Sequence, residues 1–325
     1  MSSHPLDRLA AVAFRVTPRA STVFPDGWGD ETHLDLLATP AVALEPAPLD
    51  IVWSRKEEHP GYRVRRGQFL SPIGALLPEA ARLVPVEWVE PGAGSDRVCV
   101  LLPAWNDHGF VKRRRLAGGL AERGIASISF DIPLYGARRV GALDQQAIRT
   151  VADFALMGYG AVHEAVSLAA HFRGEAVVGF SGYSMGGNLA ALASAMVPFP
   201  VAIAPLAASH SPGPVYLDGV LRSAIGWEAL GGRTIAADRL RAVLGSATVL
   251  SVPPADHHRA AVLVVAERDG FIPDSASRAL AAHWPGAELR VVAGAGHATL
   301  LWRHSTALVS AIVDAFDRFG ELPSR

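Results

Sequence analysis

From residue 97 onward the chain repeats one device, a short apolar run followed by a longer helix-forming stretch. The runs at 98–102, 125–130, 177–180, 201–204, 262–266 and 289–292 are built largely from Val, Ile, Leu and Ala. A strand with one wet face would alternate apolar with polar residues, whereas a continuous apolar run suits a strand covered on both faces. Helical stretches at 114–123, 146–173, 188–196, 275–284 and 305–319 fall between and after these runs. Such alternation predicts a mainly parallel sheet flanked by helices.

Two further segments, 62–69 and 83–89, have strand-like content and are separated by turn residues including Pro72, Gly74 and Pro78. They bring the expected sheet to about eight strands. A chain of 325 residues could hold two domains by length, but α/β folds of this size are often one. We therefore expect a single α/β domain, with 61–206 and 260–325 as its core. Residues 1–60 read as an N-terminal extension, with a helix over 6–14 and a Pro-rich stretch at 40–48. Residues 207–259 are too long for a simple crossover and read as a short lid-like insertion over a cleft, the plainer alternative being surface decoration.

The run at 177–180 stops at Ser181-Gly182-Tyr183-Ser184-Met185-Gly186-Gly187, and an alanine-rich helical segment follows at once. Strand, sharp turn and helix around Gly-x-Ser-x-Gly would raise the Ser184 hydroxyl above the sheet. A serine hydroxyl is a poor nucleophile near neutral pH, so it needs a base and a group that orients the base. His297, in Gly294-Ala295-Gly296-His297 just past the last strand, is the expected base, with His304 as rival. Asp269, just beyond the run at 262–266, is the expected acid, with Glu267 as rival and Asp274 starting the next helix as its N-cap. The order Ser184, Asp269, His297 is that of the α/β-hydrolase fold.

Attack by serine builds negative charge on the former carbonyl oxygen, which backbone donors must meet. The expected donors are the N–H of Met185 and, in the loop 102–110, that of Trp105, with Ala104 and Asn106 as neighbours in contention. Asp107 and His108 in the same loop, with Tyr183 beside the nucleophile, are candidate substrate contacts, although the first two could simply hold the loop's shape. Lys112-Arg113-Arg114-Arg115 is a local cationic cluster. It is either a solvated face or a partner for phosphate.

Other classes find little support. Thirty Lys and Arg balance 31 Asp and Glu, so no global field favours nucleic acid. The single cysteine, Cys99, precludes an internal disulfide, and its apolar surroundings suggest a buried thiol. Asp256, His257 and His258 resemble a ligand cluster, but adjacent histidines tend to point apart; no metal or cofactor is expected. No run of about twenty apolar residues occurs, so we expect a soluble, cytoplasmic protein, with peripheral membrane contact open.

Across most of its length the sequence resembles the α/β-hydrolase domain-containing protein 18 family. The likeness rests on Gly27-Trp28-Gly29, Gly67-Gln68-Phe69-Leu70-Ser71-Pro72, Asp107-His108-Gly109-Phe110 with Arg113-Arg114-Arg115, and Pro133-Leu134-Tyr135-Gly136. It continues through Val151-Ala152-Asp153-Phe154-Ala155-Leu156-Met157-Gly158, Gly219-Val220-Leu221, Trp284-Pro285-Gly286 and Asp314-Ala315-Phe316-Asp317-Arg318-Phe319. The resemblance implies a serine hydrolase with Ser184, Asp269 and His297 at the motif positions, acting on an acyl ester, lipid esters being the natural guess. It also makes Asp107 and His108 part of a family motif and shifts them towards a role at the cleft. Two departures stand out: the family's Thr-Gly-Asp is here Trp105-Asn106-Asp107, and the insertion before the acid strand is short. The same three residues would serve a thioesterase or peptidase, and a silent lipid- or partner-binding protein is the alternative of another class.

Overall fold

The computed structural model describes residues 3–9, 22–39, 43–142 and 145–323. Its sheet has ten strands: β1 Val52–Trp53, β2 Glu57–His59, β3 Tyr62–Leu70, β4 Leu83–Pro91, β5 Arg97–Leu102, β6 Ala126–Phe130, β7 Val177–Tyr183, β8 Ala202–Leu206, β9 Val262–Ala266 and β10 Glu288–Val292. The spatial order is β1-β3-β4-β6-β5-β7-β8-β9-β10, with β2 hydrogen-bonded to β3 outside that path. From β6 to β10 every neighbouring pair is parallel, while β3 and β4 run antiparallel to their partners. The sheet exceeds the expected eight strands because β1 and β2, two and three residues long, are too short to leave a periodicity in sequence.

The apolar runs become strands without a wet face. Val98, Val100 and Leu102 of β5 pack on one side of the sheet, and Cys99 and Leu101 on the other. Enclosing such side chains contributes about 1.5–3 kcal/mol each. The helices Val151–Phe172 and Met185–Met196 cover the first side, Arg114–Ala121 and Ser305–Gly320 the second. β10, at the edge, is only partly covered and carries Glu288 and Arg290, as an edge strand tolerates. Cys99 is fully buried, and that burial pushes its thiol pKa up, leaving it protonated.

The long helix Val151–Phe172 begins with a capping box. Thr150 Oγ1 accepts the Asp153 N–H at 2.9 Å, and the Asp153 carboxylate accepts the Thr150 N–H at 2.9 Å. Midway along it, Glu164 is fully buried and forks onto Arg138, with both N···O distances 2.7 Å. Ser71 Oγ donates to the same carboxylate at 2.6 Å, and Arg138 also donates to the carbonyls of Ala81 and Asp131. This network ties the helix to the turns that follow β3 and β6.

The extension reaches the interior at Phe24, whose ring packs on Phe154 and Tyr216. A helical turn spans 5–9; the rest of the helix expected over 6–14 lies outside the described residues, as do 40–42 of the Pro-rich stretch. Within 207–259 the described elements include the helices Pro212–Leu217 and Arg233–Ser246. Among the described residues no helix is long and apolar enough to cross a membrane.

Candidate active site

Three loops at the C-terminal ends of parallel strands form the site. β7 ends at Tyr183, and Ser184 turns the chain with φ 59° and ψ −116° before the helix Met185–Met196 begins. A non-glycine residue held at such a φ costs of order 1–3 kcal/mol and persists only where its surroundings impose it. Here the Ser184 N–H donates to the Leu206 carbonyl of β8 at 2.8 Å, and its carbonyl accepts from Asn188 N–H at 3.1 Å. The motif's flanking residues must be glycine: a Cβ on Gly182 would meet the Gly186 carbonyl carbon at 2.5 Å, and one on Gly186 the Leu102 oxygen at 2.3 Å.

His297 Nε2 lies 2.9 Å from Ser184 Oγ, and His297 Nδ1 lies 2.7 Å from Asp269 Oδ2. A carboxylate only accepts, so Nδ1 carries the proton and Nε2 is left free to accept from the serine hydroxyl. Asp269 is itself fixed, since Oδ1 accepts the N–H groups of Phe271 at 2.8 Å and Ile272 at 2.9 Å. Burial pulls the His297 pKa down, but the Asp269 charge and hydrogen bond, with a smaller contribution from Asp7, outweigh it and leave it raised.

His297, just past β10, is the first residue of a short helix, His297–Arg303, whose start is set by Thr299 Oγ1 accepting the Gly296 N–H at 2.8 Å. Tyr183, expected to face substrate, lines the cavity while its hydroxyl donates to the His297 carbonyl. The rivals do other work. Glu267 accepts the Gly294 N–H at 2.8 Å, His304 joins the last two helices, and Asp274 is the first helical residue rather than the cap, paired with Arg278.

Ser184 and His297 open into a cavity of about 560 Å³ whose wall is mostly apolar. Trp105, Phe154, Tyr216, Leu221 and Phe271 supply much of it, and Ser211, Pro212 and Val215 from the 207–259 segment complete one side. Trp105 packs edge-on to Tyr216 at 5.7 Å and to Tyr135 at 6.4 Å. Among the described residues no acceptor engages the backbone N–H of Trp105 or of Met185, the two expected oxyanion donors, whereas the Asn106 N–H faces Tyr135 Oη at 3.5 Å.

A sequence profile of the family described as alpha/beta hydrolase domain containing 18 matches residues 21–244 and 236–318. The chain belongs to that family. Among solved structures, an acetyl xylan esterase from Paenibacillus sp. R4 matches with TM-score 0.60 at 12% identity, over 96% of this chain and 95% of that one. Brefeldin A esterase, a bacterial homologue of human hormone sensitive lipase, matches with TM-score 0.55 at 16% identity over 98% and 94%. A cold-adapted esterase from an Arctic intertidal metagenomic library matches with TM-score 0.51 at 17% identity over 80% and 99%. At these identities the likeness is one of fold.

In this member of the alpha/beta hydrolase domain containing 18 family, the Asp107-His108 motif stands apart from the cavity wall. Asp107 is buried beneath the loop, 3.1 Å from Arg113 Nε, and burial pushes its carboxyl pKa up against the opposing charges of Arg113 and Lys112. Arg113 also donates to the carbonyls of Leu101, Phe130 and Gly109, so the pair holds the loop between β5 and β6. His108 is exposed, stacked on Tyr135, and accepts the Gly136 N–H at 3.1 Å. Arg114 forks onto Glu87, while Arg115 and Lys112 reach the cavity. His257 and His258 contact Ser194, His258 also stacking on Trp284, and among the described residues no group of three or more potential ligands could hold a metal.

One residue at the site leaves no trace in the sequence. Asp7, from the extension, is fully buried against the loops carrying Asp269 and His297. It falls within the helix expected over 6–14, but no motif includes it.

Proposed function

We propose that this chain is a serine hydrolase that cleaves carboxylic esters with an apolar acyl group, through an acyl-enzyme. The observation that carries the reading is the unbroken chain Ser184 Oγ, His297 Nε2, His297 Nδ1, Asp269 Oδ2, at 2.9 Å and 2.7 Å. Ser184 Oγ attacks the ester carbonyl as its proton passes to His297 Nε2, and Asp269 stabilises the imidazolium that forms. The N–H groups of Met185 and Trp105 receive the oxyanion. Collapse expels the alcohol, protonated by His297; water, activated by the same imidazole, then frees the acid and restores Ser184.

The cavity supports an apolar acyl group, since its wall is mainly aromatic and aliphatic. Lys112 and Arg115 at the same cavity suit an ester that also carries negative charge. The three similar structures described above bear the names of esterases, which agrees in class. Turnover of a panel of p-nitrophenyl acyl esters by wild type and by Ser184→Ala tests the reading. Wild type should hydrolyse medium-chain esters and Ser184→Ala should not; equal rates would refute it.

A further inference from the structure

We propose that Asp7 is a positioning residue for the reaction, its carboxylate tying the acid loop to the histidine loop and holding His297 between Asp269 and Ser184. The inference rests on the triad reading above. Asp7 Oδ2 accepts the Gly270 N–H at 2.9 Å and the His297 N–H at 2.8 Å, while Oδ1 accepts the Ala298 N–H at 3.2 Å. Gly270 directly follows the proposed acid, and His297 is the proposed base. β9 and β10 pair as far as Ala266 and Val292, and beyond them the Glu267 N–H donates to the Val292 carbonyl at 3.1 Å and the Arg268 N–H to the Ala295 carbonyl at 2.8 Å. Asp7 extends this tie between the two loops to the residues next to the proposed acid and at the proposed base.

A cap for the helix His297–Arg303 would be the plainer role, because the first N–H groups of any helix lack internal partners. That role accounts for the bonds to His297 and Ala298. It does not account for Gly270, which belongs to the other loop. The segment is also built into place: the His4 N–H donates to the Arg268 carbonyl at 2.9 Å. Two glycines make room for it. A Cβ on Gly270 would stand 2.9 Å from Asp7 Cβ, and one on Gly296 would stand 2.3 Å from His4 Cβ. With Tyr183 holding the His297 carbonyl and Asp7 its N–H, the histidine backbone is gripped from both sides.

The charge matters as well as the bonds. The titratable groups facing the imidazole are Asp269, Asp7 and the phenol of Tyr183, with His4 against Gly296. Both carboxylates favour the imidazolium that forms when Ser184 loses its proton.

The test is Asp7→Asn, which keeps the shape but replaces one acceptor by a donor facing an N–H group and removes the charge. Asp7 does not line the cavity, so KM for a p-nitrophenyl ester should stay within about twofold while kcat falls by roughly ten- to a hundredfold. The acidic limb of the kcat/KM profile should also move to lower pH. Arg8→Ala, one residue away and exposed, should behave as wild type. If Asp7→Asn keeps the wild-type kcat and acidic limb, the positioning role is wrong. If wild type itself shows no turnover dependent on Ser184, the triad reading fails and takes this inference with it. Should Asp7→Asn not fold, amide exchange in wild type decides: protected amides at Gly270, His297 and Ala298 support the bridge, and exchange at the rate of unstructured peptide overturns it.

Discussion

Gly186 stands so close to Leu102 that a Cβ on the glycine would lie 2.3 Å from the leucine carbonyl oxygen. Leu102 ends β5 and opens the loop that carries Trp105, so the contact sets the spacing of the two proposed oxyanion donors. Gly186→Ala must push the elbow away from β5. We expect a loss of about 1–3 kcal/mol in stability, as overpacking elsewhere produces, with lower ester turnover; calorimetry and steady-state kinetics measure both.

Asp269→Asn should preserve the fold and remove most activity. The oxygen of the amide can satisfy the N–H groups of Phe271 and Ile272, but its NH₂ then faces His297 Nδ1. The imidazole is driven to the tautomer protonated at Nε2 and cannot accept from Ser184. By analogy with other serine triads, kcat falls by about 10⁴, with KM little changed.

The raised His297 pKa fixes the direction of the pH dependence. Serine attack needs the neutral imidazole, so kcat/KM should decline as pH falls through a midpoint above the ordinary value of 6.5. In Asp269→Asn, having lost the leading upward influence, the midpoint should move lower. A wild-type midpoint below that of an ordinary histidine would contradict this electrostatic account.

Arg138→Met would leave the Glu164 carboxylate buried beside only Ser71. Removing one partner of a buried pair typically costs about 3–5 kcal/mol, and urea unfolding should show a loss of that order. The site lies elsewhere, so kcat of the folded fraction should change little.

The strands covered on both faces were legible because burial on both sides leaves an unmistakable apolar run; β5 and β9 begin or end within a residue of their expected bounds. The serine was legible because its turn demands glycine on either side. The three consecutive arginines were not, since successive helical side chains point about 100° apart. Arg113 therefore goes inward to Asp107, Arg114 across to Glu87, and Arg115 to the cavity. Asp107 sits in an irregular loop, where no periodicity gives the direction of a side chain, so the motif could not reveal that it braces the loop from below rather than lining the cavity wall. Asp7 was invisible for a different reason: its role comes from contacts with residues more than 260 positions away, which no local pattern encodes.

The central claim is that Ser184 is a nucleophile activated by His297, and a fluorophosphonate reports on it most directly. After brief exposure, peptide mass spectrometry of wild type should show one phosphonyl adduct, on the peptide containing Ser184, formed much more slowly in His297→Ala and absent in Ser184→Ala. An unlabelled wild type, or an adduct that persists when Ser184 is replaced, would contradict the account.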